Sequence, residues 1–226
     1  MREVVIDTET TGLSHKNGDR IIEVGCVELI NHVATKNFLQ FYCSVDKKIS
    51  EGAQKITGIT NNFLKDKKQF GEHYEEFLGF IKGDPLIIHN ADFDLGFLNN
   101  ELSIINKPTI TNPVIDTVAL ARKVLNTRVA NLDYLCRRFK IDLSERDLHG
   151  ALLDSRLLAE VYLELKGGKQ FSMNLSKITN KSNEQNKTKE KNIKKITKYI
   201  LVEEDVNLHK KMLGEIKEPV WKKYDY

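Results

Sequence analysis

Acidic residues recur in this chain at places where carboxylates are rarely idle. The first cluster, Asp7-Thr8-Glu9, follows a β-branched run. In a strand, residues i and i+2 point to the same side, so both carboxylates project together. Two anions so placed repel each other unless a cation lies between them. Thr10-Thr11-Gly12 come next, two small hydroxyl residues and a glycine that let the backbone approach a ligand closely. The second cluster, Asn90-Ala91-Asp92-Phe93-Asp94, directly follows the apolar run Pro85–His89. Asp92 reads as a helix N-cap. Asp94 falls in the first helical turn, facing either solvent or the site. The third cluster is His149-Gly150-Ala151-Leu152-Leu153-Asp154. An isolated acid near a helix start is often only a partner of the helix dipole, and a lone histidine is more often filler than catalyst. Together, His149 on the entering turn and Asp154 in the helix can serve one site. Carboxylates are hard oxygen ligands, suited to Mg²⁺ or Mn²⁺ and ill suited to structural zinc. A histidine, with an ordinary pKa near 6.5, suits proton transfer at neutral pH.

The elements that must hold these clusters alternate in type. Glu3–Ile6 reads as a buried strand ending at the first acids. Arg20–Ile30 and Val33–Val45 are apolar-rich stretches joined by Asn31-His32, a hairpin signature. Phe70–Lys82 carries helical spacing, Pro85–His89 is a second buried strand, and Leu95–Ile105 is again helical. Val114–Asp116 is a short strand, and Thr117–Leu125 and Asn131–Phe139 read as helices. Gly150–Leu165 carries one stripe of Leu153, Leu157, Leu158, Val161, Tyr162 and Leu165, and Gly167-Gly168 ends it. Strands first and helix–strand–helix units after them predict an α/β fold with a mixed sheet flanked by helices.

Composition divides the chain. Of 226 residues, 40% are apolar, enough for a sizeable core and against wholesale disorder. The net charge of +3 hides an asymmetry: residues 1–175 sum to −2, whereas 176–226 carry thirteen lysines against eight acids. Residues 176–198 hold eight Lys, four Asn and no aromatic, so a mobile linker is expected there. Beyond it, 199–226 regain apolar residues, with helical spacing over Val206–Ile216 and the only Trp at 221. No apolar run approaches the roughly 18–20 residues of a membrane span, and MREVVIDTET lacks the charged-then-apolar pattern of a signal peptide. Cys26, Cys43 and Cys136 sit far apart, match no zinc spacing and read as reduced thiols. A cytoplasmic location is the expectation.

DTETTG, HNADFD and LHGALLD, in this order and spacing, resemble the three motifs of the DEDDh 3′–5′ exonuclease family. The resemblance covers about residues 1–175 and is nearest to the epsilon-type proofreading subunits of bacterial replicative polymerases. It implies an RNase H-like fold with a five-stranded mixed sheet over residues 1–169. It identifies the acidic quartet as Asp7, Glu9, Asp94 and Asp154, with His149 as general base, and two divalent ions, Mg²⁺ or Mn²⁺, held by the four acids. Asp7 is then the bridging ligand between ions about 4 Å apart, where they stabilise in-line phosphodiester hydrolysis. Contacts to the 3′ nucleotide are implied for Asp7, Glu9, Thr10, Glu51, Thr57 and Asp154. Thr57 departs from the pattern, since epsilon-like relatives carry a histidine before Gly-Ile. Gln170, Met173 and Leu175, in residues 170–175, resemble a sliding-clamp peptide, and 199–226 with Trp221 is the implied polymerase-binding tail. The expected partners are thus a DNA 3′ end, a polymerase catalytic subunit and a clamp. A stand-alone exonuclease trimming RNA or repair intermediates is the alternative; a non-catalytic docking module would have lost at least one acid.

Overall fold

Strand β1 (Arg2–Thr10) carries both acids of the first cluster near its end, extending past Ile6, where the apolar run stops. The antiparallel ladder with β2 (Ile21–Ile30) carries it there: Asp7 lies opposite Gly25 and Glu9 opposite Glu23, and pairing continues to Thr10 against Ile21. The computed structural model describes residues 1–144, 146–168 and 203–215. Strand β3 (Val33–Tyr42) pairs antiparallel with β2. The connection is Asn31-His32, both with positive φ (53° and 70°), the backbone of the tight hairpin expected from sequence. Strands β4 (Leu86–Ile88) and β5 (Val114–Asp116) add in parallel on the other side of β1, giving the order β3-β2-β1-β4-β5. This is the expected five-stranded mixed sheet.

Residue parity along β1 divides the core. Val4 and Ile6, with Val24, Cys26 and Ile88, pack on α3 (Phe70–Ile81) and α4 (Ala91–Ile104) through Phe77, Phe97 and Leu98. Val5, with Val27, Leu29 and Ile87, packs on the opposite layer of α5 (Thr117–Leu125), α6 (Leu132–Phe139) and α7 (Ala151–Leu165). Burying apolar faces on both sides of one sheet fixes the register, because a one-residue slip would exchange the faces. All three cysteines are buried free thiols.

Two short helices, α1 (Glu51–Thr57) and α2 (Asn61–Leu64), fill a stretch with no helical period in the sequence. Their signals are caps: Ser50 Oγ accepts from Ala53 N (3.2 Å) and Thr60 Oγ1 from Phe63 N (3.2 Å). Helix α4 starts four residues earlier than its apolar stripe, capped by Asn90 rather than Asp92, which is exposed in the first turn.

Helix α7 carries Asp154, and β2 seats it. Gly150 caps the helix without a side chain. The free amide of Ala151 instead donates to Glu23 Oε2 (3.1 Å), and Ser155 Oγ donates to the Gly25 carbonyl (2.9 Å). At Gly25 a Cβ would overlap the carbonyl carbon of Ala151 and the amide of Leu152. The neighbour there is backbone, so it cannot rotate away. Gly25→Ala is expected to cost about 2–3 kcal/mol, at the upper end of overpacking, and to depress nuclease activity by shifting the first turn of α7. Urea unfolding read beside activity checks this. A variant with wild-type stability and rate would show that α7 does not need this close approach.

The chain divides into two units, Met1–Met173 and Asn174–Tyr226. In the second, the described part is α8 (Glu203–Glu215), which begins three residues before the apolar period at Val206. The clamp peptide 170–175, the linker 176–198 and Trp221 lie outside the described residues. Among the described residues, no helix is long and apolar enough to cross a membrane.

Candidate active site

The site forms where β1 outruns β4. The last β1–β4 pair is Ile6 with Ile88. Thr8, two residues further, has no strand partner on that side. Asp94, from the first turn of α4, takes the place: Thr8 N and Thr8 Oγ1 both donate to Asp94 Oδ1, at 3.0 and 2.7 Å. Position matters because α4 springs from the carboxyl end of β4, where ligand sites of open α/β sheets gather.

On the other face of β1, Asp7 and Glu9 project toward α7. Asp154, 4% exposed, closes this side from the first helical turn. His149 precedes the N-cap, and its backbone amide is tied to the Ile56 carbonyl of α1 (3.0 Å). Its imidazole is about half exposed, with Nδ1 3.2 Å from Asp154 Oδ2. Ligand atoms of Glu9, His149 and Asp154 lie within 4.8 Å of one another, close enough for one ion to meet all three.

The charges here are poorly compensated. Burial, then the neighbouring Asp94, Glu9 and Asp154, push the Asp7 carboxyl well above its ordinary range. Burial and the charges of Asp154 and Glu23 push Glu9 up to about 8. Burial pushes Asp94 up to about 7, against the stabilising Thr8 hydrogen bonds. Such crowded oxygen donors fit a hard divalent cation, which supplies the missing positive charge. The same shifts predict a pH dependence. Carboxyls whose folded-state pKa is raised favour the folded form when protonated. That stability is complete below the ordinary carboxylate pKa of about 4 and is lost as pH rises through about 7–8, the folded values of Asp94 and Glu9. In EDTA the unfolding midpoint is therefore expected to fall between mildly acidic pH and pH 8.5. Saturating Mg²⁺ is expected to flatten or reverse that slope. Identical slopes with and without metal would count against a cation site.

Beside the acids lies a groove of about 320 Å³, at the lower end of small-ligand pockets. Leu13, Ala53, Ile56, Thr57 and Phe93 line it, and Glu9 joins it to the acids. Phe93 both lines the groove and packs with its ring tilted against Phe97 (4.9 Å between centroids), so it serves core and pocket together. Thr10 and Thr57 also line the groove, but their hydroxyls are engaged, donating to Gly12 O (2.6 Å) and Ala53 O (2.9 Å). Glu51 is exposed in the first turn of α1 and stands outside the groove lining, which its neighbours Ser50 and Gly52 enter. It complements the helix dipole there.

Sequence reasoning missed Arg146. Its buried guanidinium donates through Nε and Nη2 to the two oxygens of Asp154, at 2.6 and 2.7 Å. It also reaches Asp133 and His149 Nδ1. The signal was a lone arginine three residues before His149 in a site otherwise made of acids. A second omission is His89, which lines the same cleft and donates to or accepts from Thr117 Oγ1 (2.8 Å). Burial pulls its pKa below the ordinary histidine value.

Comparison with known proteins places this geometry. The exonuclease family RNase_T matches residues 4–162. A DNA polymerase III subunit epsilon from Rickettsia felis is 41% identical over 96% of this chain and 97% of its own length. The subunit of that name from Escherichia coli K12 is 44% identical over 76% of this chain and 74% of its own length. Among solved structures, Exonuclease X in complex with 5′ overhanging duplex DNA superimposes with a TM-score of 0.57 at 25% identity, covering 72% of this chain and 90% of that one. The nuclease domain of 3′hExo, a DEDDh family member bound to rAMP, superimposes with a TM-score of 0.61 at 19% identity, over 74% and 92% of the two chains.

Proposed function

For a chain that belongs to the epsilon subunits of DNA polymerase III, a family of metal-dependent 3′–5′ exonucleases, we propose proofreading by hydrolysis of mismatched 3′-terminal nucleotides. The observation that carries the reading is the convergence of Asp7, Glu9, Asp94, Asp154 and His149 at the carboxyl ends of β1 and β4, beside an apolar groove. The groove takes the terminal nucleotide, with Leu13, Ile56 and Phe93 against the base and Thr10 and Thr57 at its rim. Asp7, Glu9 and Asp154 would hold one divalent ion, and Asp7 with Asp94 would hold a second, Mg²⁺ or Mn²⁺. When bound, such ions supply Lewis-acid stabilisation of the attacking and leaving oxygens.

His149 takes a proton from the attacking water as the oxygen bonds to phosphorus. The bond from phosphorus to the 3′ oxygen breaks, and that oxygen takes a proton from solvent, leaving a 3′-hydroxyl on the strand and releasing a nucleoside 5′-monophosphate. Thr8 holds Asp94 by two donors, so this carboxylate keeps one orientation throughout. Residues 1–175 are net negative, so phosphate contacts supply little affinity of their own. That suits an enzyme handed its primer by a polymerase.

The association with a polymerase is proposed to use 199–226, anchored by Trp221, and a clamp contact Gln170, Met173 and Leu175. A pull-down separates the two: Trp221→Ala is expected to lose polymerase and keep clamp. Equal recovery of polymerase by wild type and by a chain truncated after Leu175 would exclude the tail, and equal recovery by Trp221→Ala would exclude Trp221 as its anchor. A cytoplasmic location follows from this role. The test of the function is digestion of a 3′-mismatched DNA primer beside a matched RNA. Faster loss of the mismatched DNA in Mg²⁺, and none in EDTA, is expected. Preferential digestion of the RNA would favour a stand-alone trimming enzyme.

A further inference from the structure

We propose that Arg146 is a placeholder cation, holding Asp154 in the metal-free enzyme and withdrawing onto Asp133 when a divalent ion arrives. The inference rests on the reading of the acidic quartet as a metal site. Asp154 is the one member of the quartet with a strong countercharge: Arg146 grips both of its oxygens, at 2.6 and 2.7 Å, with 6% of each side chain exposed. Asp7, Glu9 and Asp94 have no cationic partner of this kind among the described residues. Arg146 therefore stands on the same carboxylate that, with Glu9, would hold an ion beside His149.

A guanidinium and a divalent ion on one carboxylate repel each other, so loading the site disfavours the observed pairing. The alternative seat is already touched. Arg146 Nη1 donates to Asp133 Oδ1, and Asp133 lies in the first turn of α6 with its side chain 45% exposed. The Arg146 amide is held by the Leu143 carbonyl (2.9 Å), so the loop can stay fixed while the side chain shifts.

The same movement bears on His149. Arg146 Nη2 lies 3.0 Å from His149 Nδ1, and an arginine can only donate. Nδ1 is then the acceptor, and the neutral ring carries its proton on Nε2, which leaves no free lone pair for a base. Asp154 Oδ2, 3.2 Å from the same Nδ1, can only accept when ionised. With Arg146 withdrawn, Nδ1 donates to Asp154 and Nε2 is free to take a proton. Arg146 is thus a positioning residue that keeps the base unready until the metal is bound.

The experiment is Mn²⁺ titration of the full-length protein by calorimetry, with Arg146→Gln, Arg146→Lys and Asp133→Asn. Circular dichroism checks folding of each. A displaced placeholder predicts about tenfold tighter Mn²⁺ binding by Arg146→Gln, the order of a lost charge-assisted hydrogen bond. Arg146→Lys keeps the charge but cannot bridge two carboxylates, and is expected between the two. Asp133→Asn is expected to weaken binding roughly threefold in the Arg146 background and to have little effect without Arg146. Nitrogen-15 spectra of His149 supply a second readout: the Nε2–H tautomer in EDTA and the Nδ1–H tautomer in Mg²⁺. Unchanged or weaker binding by Arg146→Gln would make Arg146 a fixed clamp. That result overturns the placeholder. Wild-type affinity in Arg146→Lys would show that bridging to Asp133 plays no part, and would overturn the withdrawal. Failure of the metal site itself is distinguishable, because Asp7→Asn would then bind Mn²⁺ as tightly as wild type.

Discussion

Asp7→Asn is expected to leave a folded protein that degrades DNA about a thousandfold more slowly, or not at all. Asp7 lies among Asp94, Glu9 and Asp154, and their charges, after burial, are what raise its pKa. In the proposed mechanism Asp7 would help to hold both ions, so its loss would withdraw several kcal/mol of transition-state charge stabilisation, at about 1.4 kcal/mol for each factor of ten. The same crowding makes the variant more stable than wild type in EDTA, since one of several mutually repelling carboxylates is gone. Single-turnover digestion of a 3′-labelled primer and thermal unfolding in EDTA check the two halves. Near-normal turnover in Mg²⁺ would refute the role of Asp7 in holding metal.

Replacement of His149 by Ala is expected to slow hydrolysis by about 10²–10⁴, the usual worth of a general base, with metal and DNA binding retained. The fold is insulated from this change. His149 holds its loop through its backbone amide on Ile56, and its ring is about half exposed. The loss should appear in kcat rather than KM, and added imidazole should restore part of it in His149→Gly. If the variant loses affinity for primer at unchanged kcat, His149 binds substrate instead of moving a proton.

The parts of the site legible in sequence were those whose chemistry is local. Asp7 and Glu9 are two residues apart, and the alternation of a strand puts them together without knowledge of the rest of the fold. His149 and Asp154 flank one helix start. Asp94 was legible as part of a motif, but its hold by Thr8, 86 residues away, exists only because β4 stops at Ile88. The extent of β1 was likewise decided by β2. The sequence after Ile6 turns polar, and the ladder to Ile21 keeps it extended. Helices α1 and α2, of seven and four residues, are shorter than the window in which a helical period shows. Arg146 had only its nearness to His149 as a signal, because its bridge from Asp154 to Asp133 joins the first turns of two helices that only the packing of α6 against α7 makes neighbours.

Gly25 has a consequence for heredity. It lines neither the groove nor the acidic cleft and carries no charge, yet it lies opposite Asp7 and beneath the start of α7. A glycine codon becomes an alanine codon by one base change. A cell with that change would copy its genome with the same polymerase, but with errors left in place. It should therefore show more spontaneous drug-resistant colonies in a fluctuation assay, with every acidic residue of the nuclease intact. Lineages carrying such an allele would adapt quickly and decay quickly, and reversion at that one codon should be the commonest cure.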